Sequence, residues 1–427
     1  MNWLKKIIQV FKVKDLRNKI FFVLMILIVF RIAANIPVPG IDAAQLKQFF
    51  DNNQLFGLLN IFTGGAMSNF SIVMLGLGPY ITSTIIMQLL TMIFPQLETI
   101  YKEEGEKGKQ RFNQYGRIIT VPLAMLQSYA MLNLLSRQNI FGILTTYQWI
   151  ISILVITAGA LFLMWLGELI SEKGIGNGVS LLIFAGIVSR VPASVRELAL
   201  TYDPSKIPSY LAFLVLALVI VSGVVVITEG RRNIPVSYAK RVRGNKVYGG
   251  VSTYLPLNVN PAGVIPIIFA LSIMLFPGMV ASFLVGSSIA WLSSFAQIVS
   301  NLFQNAWFYG FAYFTLVVLF TYFYTAVTFD PKNVASNLQR MGGFIPGIRP
   351  GKPTSDFLYY ILNRVLLFGA VFLGTIAVLP SIIQGSTGIT AFGFAIGGTA
   401  LLIVVSVVLE TMKQINSQLT MRDYEGL

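Results

Sequence analysis

The sequence predicts an all-α polytopic membrane protein. Three observations carry this. Hydrophobic residues make up 55% of the 427 and charged residues only 11%, whereas an average soluble domain carries about 25% charge. The mean hydropathy is +0.73, which points to lipid as the solvent. Ten apolar stretches are long enough to cross a bilayer, and the short alternating strands of a barrel are absent.

In chain order the stretches are 20–38, 71–94, 116–136, 149–169, 179–195, 209–228, 262–285, 307–328, 358–379 and 388–409. A hydrocarbon core of roughly 30 Å needs about 20 apolar residues in a helix. Helices satisfy their own backbone groups, which lipid demands. The first stretch runs from Ile20 past Arg31 to Ile36 without a small-x-small cleavage site, so it reads as a retained span. Before it, residues 1–19 place Trp3, Leu4, Ile7, Ile8, Val10 and Phe11 on one stripe with lysines nearby. That pattern suits a helix lying on the cytoplasmic interface; a loosely ordered basic tail is the alternative.

Charge sets the orientation. With the N-terminus inside, the outer loops hold only Lys47, Arg137, Arg196 and Lys206, and most of the 31 lysines and arginines fall in the inner loops and tails. Both termini are then cytoplasmic, residues 410–427 forming a cytoplasmic tail. The net charge of +14 needs no nucleic acid to explain it.

Residues 56–63 are apolar but too short to cross, and Gly64-Gly65 breaks any helix. A single helix over 56–94 would extend about 58 Å, nearly twice the membrane. The economical reading is a short element tucked into the outer half of the protein, which implies an internal cavity. An apolar external loop is the other reading. Two inner loops, 229–261 and 329–357, are long, basic and punctuated by Gly and Pro. The sign fits anionic lipid; the length and turn chemistry fit docking of a soluble partner.

The absence of Cys and His removes disulfides, thiolate nucleophiles, imidazole bases and the usual zinc or haem ligands. No metal or cofactor is expected, and no enzyme: an intramembrane enzyme would need an Asp pair or a Ser-based dyad. Arg31, Glu168, Arg190 and Arg364 lie near segment ends, where snorkelling is cheap. Glu168 and Glu172 sit beside Lys173, which suggests a local ion pair. Ion coupling is therefore disfavoured. Gly174–Gly178 is glycine-rich but follows no strand, so it reads as a tight turn. A secondary small-molecule transporter is the alternative function class, though no segment supplies a polar midplane site.

Specific runs then resemble one family. They are Phe56–Ala66 with Gly76-Leu77-Gly78-Pro79-Tyr80-Ile81, Met164–Glu168 leading into Gly174–Gly178, Tyr238–Arg241, Leu255–Asn260 with Ala262–Pro266, and Val334–Leu338 with Pro346–Gly351. Together, in this order, they resemble the SecY family, whose members form the pore of the Sec protein-conducting channel. The resemblance implies two inverted halves of five helices, 20–200 and 209–409, with an outer hinge at 201–208 and an hourglass pore between them. It places the pore ring on Leu77, Ile81, Val179, Ile183, Ile268 and Ile403. A collar of aliphatic side chains offers a hydrated ion no replacement ligands, so it dewets. The element 56–67 corresponds to the plug, with Phe56, Leu58, Leu59, Ile61 and Phe62 as its apolar body and Gly64 and Gly65 as hinge. Gln88, Gln127 and Ser272 correspond to the lateral gate. Lys240, Arg241, Lys246 and Arg349 correspond to docking positions for the SecA ATPase and the ribosome. Small SecE- and SecG-like subunits, signal peptides and unfolded preproteins complete the implied partners. Hydropathy alone puts Leu77, Val179 and Ile268 close to their segment starts. A ring there requires those helices to begin deep in the molecule.

Overall fold

The structure, a computed structural model, describes residues 10–39, 60, 63–137, 145–200, 204–238, 241–243, 246–248, 252–284, 289–387 and 398–425. The first half comprises α1 (Lys14–Ala33), α2 (Gly78–Ile93), α3 (Pro95–Lys102), α4 (Gly105–Arg137), α5 (Thr146–Lys173) and α6 (Gly178–Leu200). A 3₁₀ turn at Pro204–Lys206 leads to α7 (Ile207–Glu229), β1 (Arg231–Tyr238), β2 (Arg241–Arg243), β3 (Lys246–Tyr248) and β4 (Ser252–Asn258). Then follow α8 (Ile265–Leu284), α9 (Ala290–Gln304), α10 (Ala306–Thr328), α11 (Pro331–Arg340), β5 (Gly343–Phe344), α12 (Lys352–Thr387) and α13 (Gly398–Glu425).

Each apolar stretch coincides with a helix, but several boundaries move. The last runs later than the expected 388–409, because its helix begins at Gly398 and residues 388–397 lie outside the described residues. The first stretch stops at Ala33, short of the expected residue 38. The chain instead turns so that Pro37 faces Ser71 in an antiparallel bridge, with Val38 N–H donating to Phe70 O and Ile72 N–H to Ile36 O, both at 2.9 Å. The second helix begins at Gly78, not at residue 71. Residues 72–77 are turns because Phe70 and Gly76 adopt φ of +43° and +57°, and Pro79 then starts the helix. This non-helical backbone is buried in protein, as its polar groups require.

Helix α2 also ends abruptly. Phe94 precedes Pro95 and is held extended, so α3 leaves at 110°. Among the described residues, seven helices are long and apolar enough to cross a membrane, or eight if α2 and α3 count as one span. The protein is a multi-pass membrane protein. Burial ranks these helices by position. Half of the apolar window of α5 is buried inside the protein, but only 12% of that of α7. Helix α5 is therefore central and α7 peripheral, its Leu211, Leu214, Leu218 and Val226 facing outward as lipid-facing side chains do.

One apolar cluster runs through α1, α2, α5, α6, α8, α10, α12 and α13, and α7 joins it through Ile220 and Val224. Close backbone approaches shape it. Helix α5 meets the 72–77 turns at Gly159, where a Cβ would coincide with Ile72 O. It meets the start of α6 through Gly167 and Gly178.

The two long loops hold structure that hydropathy did not reveal. Strand β1 pairs antiparallel with β4 and with β5, giving the order β4-β1-β5 across both loops. Ile234 and Val236 of β1 alternate inward and bury against Leu257, Leu338, Ile345 and Leu358. Loops 229–261 and 329–357 are thus one lobe with its own small core. Helix α9, between α8 and α10, was likewise not expected.

Candidate functional site

Helices that begin deep in the molecule create the site. Leu77 is the N-cap of α2 and Ile81 lies one turn on. Val179 and Ile183 occupy the first two turns of α6, Ile268 the first turn of α8, and Ile403 the second turn of α13. Five of the six belong to the apolar cluster that runs through these helices, and Val179 packs against it. Leu77, Ile81, Ile183, Ile268 and Ile403 are buried, and Val179 is half-buried against them. Leu77, Ile81, Ile183 and Ile268 line one partly open cavity of about 70 Å³. Val179 and Ile403 pack behind that wall without lining it. Helices α2 and α8 start from largely buried backbone, whereas α6 starts directly after exposed Asn177.

Among the described residues, no charged side chain lines the cavity. Its two side-chain hydroxyls have their protons engaged: Ser272 Oγ donates to Ile268 O at 3.0 Å and Thr63 Oγ1 to Asn60 O at 3.2 Å. The space holds a few water molecules and excludes a polypeptide. An ion entering it would lose its hydration shell and find no strong ligand in exchange.

One side of the cavity is closed by the turn segment. Thr63 and Gly76 touch it, and they touch each other: a Cβ on Gly76 would sit 2.9 Å from Thr63 Cγ2. Asn60 folds the segment on itself, accepting from Ser68 N–H through Oδ1 (3.0 Å) and from Gly65 N–H through its carbonyl (2.8 Å). Gly64 and Gly65 are both left-handed, at φ +67° and +87°. Gly64 has no room for a side chain, because a Cβ would lie 2.9 Å from Gly186 Cα. Of the expected plug, Phe56, Leu58, Leu59, Ile61 and Phe62 lie outside the described residues.

Helix α8 packs against α2, α4 and α10, so the helices that carry the expected lateral gate adjoin one another. The three polar side chains expected there do not join. Ser272 bonds within its own helix, Gln127 is buried, and Gln88 Oε1 is buried without a partner. Side-chain hydrogen bonds between helices occur elsewhere, from Ser83 Oγ to Gly116 O (2.5 Å) and between Ser128 and Thr157 (3.4 Å). Glu168 does not form the expected local pair. It accepts from Arg117 Nε of α4 at 2.7 Å, because Lys173, five residues on in the same helix, is off its face while the neighbouring helix presents a guanidinium.

Among the docking positions, Lys240 lies outside the described residues, and Arg241 and Lys246 sit on the β2–β3 hairpin. Arg349 is exposed on the lobe. Its carbonyl accepts from Thr354 Oγ1 at 2.9 Å, and Gly347 and Gly351 flank it at φ +82° and +98°. Arg31 was expected only to snorkel. It stays exposed and in addition holds the turn segment, donating from Nη1 to Gly64 O at 2.7 Å and to Ser189 Oγ at 3.2 Å. A backbone carbonyl as partner leaves no mark in the sequence.

Comparison with known proteins agrees with this arrangement. Residues 71–412 match the SecY family. The protein translocase subunit SecY of Corynebacterium glutamicum is 44% identical, with 99% of each chain aligned. Two solved structures share the fold at 20% identity and a TM-score of 0.61, each covering 93% of this chain and 91% of the other. One is a SecY whose plug domain is described as stabilising the closed state of the translocation channel and maintaining a membrane seal. The other is Sec61 in the canine ribosome-channel complex from the endoplasmic reticulum. The chain belongs to the SecY family.

Proposed function

We propose that this chain is the central subunit of a protein-conducting channel. It passes unfolded preproteins across the cytoplasmic membrane, releases apolar segments sideways into lipid, and catalyses no bond chemistry. The observation that carries this reading is the uncharged waist of Leu77, Ile81, Ile183 and Ile268, closed on one side by the buried turns from Thr63 to Gly76. Ten spans in two inverted halves, with both termini cytoplasmic, enclose it. Val179 and Ile403 complete the ring, and residues 56–67 are its plug. Gln88, Gln127 and Ser272 mark the seam that opens to lipid. Unbonded to one another, they would resist separation little, since interhelical hydrogen bonds in membranes average only about 0.6 kcal/mol. Small SecE- and SecG-like subunits brace the outer faces, and anionic lipid meets the basic loops.

Removing residues 56–67 tests the seal. The shortened channel folds but conducts ions at rest; a conductance in planar bilayers equal to that of the full chain contradicts the plug.

The loop lobe is the docking platform for a SecA-type ATPase and for the ribosome, through Lys240, Arg241, Lys246 and Arg349. Arg349 is the best-presented of these, held between two left-handed glycines on a lobe with its own core. Reversing a charge that meets an acidic or phosphate partner costs several kcal/mol, and about 1.4 kcal/mol is already tenfold. Arg349→Glu therefore lowers ATPase-driven uptake of a preprotein into reconstituted vesicles by about tenfold or more, while membrane insertion and thermal stability match the parent. Undiminished uptake removes Arg349 from the docking surface.

A further inference from the structure

We propose that Arg31 is the latch that holds the plug shut. This rests on reading the segment up to residue 67 as a plug. Among the described residues, two of the turn segment's attachments differ in kind. At its far end, residues 70–72 are joined to 36–38 by two backbone hydrogen bonds flanking the Pro37–Ser71 bridge. At its near end, Gly64 O is held by Arg31 Nη1 at 2.7 Å, and the same nitrogen reaches Ser189 Oγ of α6 at 3.2 Å. Ser189 Oγ in turn donates to Gly186 O at 2.8 Å. A single guanidinium thus ties α1, the plug hinge and α6 together.

The rest of the hinge is built around this contact. Gly64 and Gly65 turn left-handed, a backbone that favours glycine, and the Gly64 carbonyl accepts from Arg31. The missing Cβ of Gly64 lets it lie against Gly186, beside the serine that Arg31 also touches. Asn35 Nδ2 donates to Arg31 O at 2.7 Å and its Oδ1 accepts from Asn69 Nδ2 at 3.4 Å, so the end of α1 is braced where the arginine departs. The backbone bridge at 70–72 has no side chain to release. The Arg31 contact is one charge-assisted hydrogen bond, which gives way when an entering chain displaces the hinge and reforms when it leaves. The device sets how readily the channel opens without altering the waist itself.

Loss of one such bond shifts the closed-to-open equilibrium by roughly 10- to 100-fold, equivalent to about 1.4–2.8 kcal/mol. The test uses the assembled channel in vesicles. The chain contains no cysteine, so Met67→Cys in the plug and Ser152→Cys, buried in α5, each report without background. In Arg31→Gln, labelling of the plug cysteine by a membrane-impermeant maleimide speeds up roughly tenfold or more. Resting ion conductance rises with it, while the α5 cysteine stays at its parental rate. Arg31→Lys, which keeps a charged donor, stays close to the parent. Plug labelling unchanged in Arg31→Gln overturns the latch. So does equal acceleration at both cysteines, which would make Arg31 a brace of the whole bundle. Removal of residues 56–67 separates the two ideas: if that channel leaks and Arg31→Gln does not, the plug stands and the latch falls; if neither leaks, the plug itself falls.

Discussion

Serine at Leu77, Ile81, Ile183 and Ile268 together turns the closed waist into an ion leak. These four side chains line one cavity, and the two hydroxyls already there have their protons committed to backbone carbonyls. Dryness of the constriction is what keeps ions out. Each serine adds a hydroxyl that can bind water, worth about 1 kcal/mol. Four together approach about 4 kcal/mol as an upper bound, nearly three powers of ten in the population of wetted states. The expected result is a large rise in resting conductance, with the quadruple-alanine variant far tighter than the serine one. Side-chain volume falls in both variants, so the alanine control separates polarity from simple widening. Preprotein uptake survives, because an unfolded chain slides past hydroxyls as it does past methyl groups.

Leucine at Gly159 damages the channel from outside the waist. Helix α5 lies against the 72–77 turns so closely that a Cβ would coincide with Ile72 O. Overpacking costs about 1–3 kcal/mol when side chains can yield. Here the obstacle is backbone, fixed on one side by Ile72 N–H bonding to Ile36 O and leading on the other into Leu77. The segment must move as a unit and carry the first ring residue with it. A lower unfolding temperature and a leak are both expected of Gly159→Leu. A variant with parental stability and a tight resting state would show that the 72–77 turns do not rest on α5.

Much of this architecture was legible in the sequence because lipid imposes a strong rule: a helix-length apolar run is a membrane-facing or buried helix. Where the rule reads composition only, it erred. Ser71 to Leu77 are as apolar as the helix that follows, yet the left-handed Phe70 and Gly76 turn them into a packed coil. Hydropathy cannot see backbone direction. The lobe was missed for the opposite reason. Ile234, Val236 and Tyr238 alternate as a strand should, but Arg231, Arg232 and the hairpin charges made the whole stretch read as loop. Helix α9 carried its own signal in Trp291, Phe295, Ile298 and Leu302, spaced on one helical face and all exposed. The Glu168–Arg117 pair shows the limit of sequence proximity: the partner comes from an adjoining helix, not from the next turn. For the expected ring, the aliphatic residues themselves are ordinary; only the order of surrounding motifs singled them out, and the four that line one cavity come from the first turns of three helices.

A cysteine placed singly at Leu77, Ile81, Val179, Ile183, Ile268 and Ile403 can be asked to form a disulfide with a cysteine in a preprotein arrested midway. Since the chain has no cysteine of its own, each product reports one position. All six should crosslink to the same short stretch of the arrested preprotein, and outward-facing Leu218 and Phe368 should not. Crosslinks scattered along the preprotein, or confined to one helix, would mean that the six side chains surround no common path.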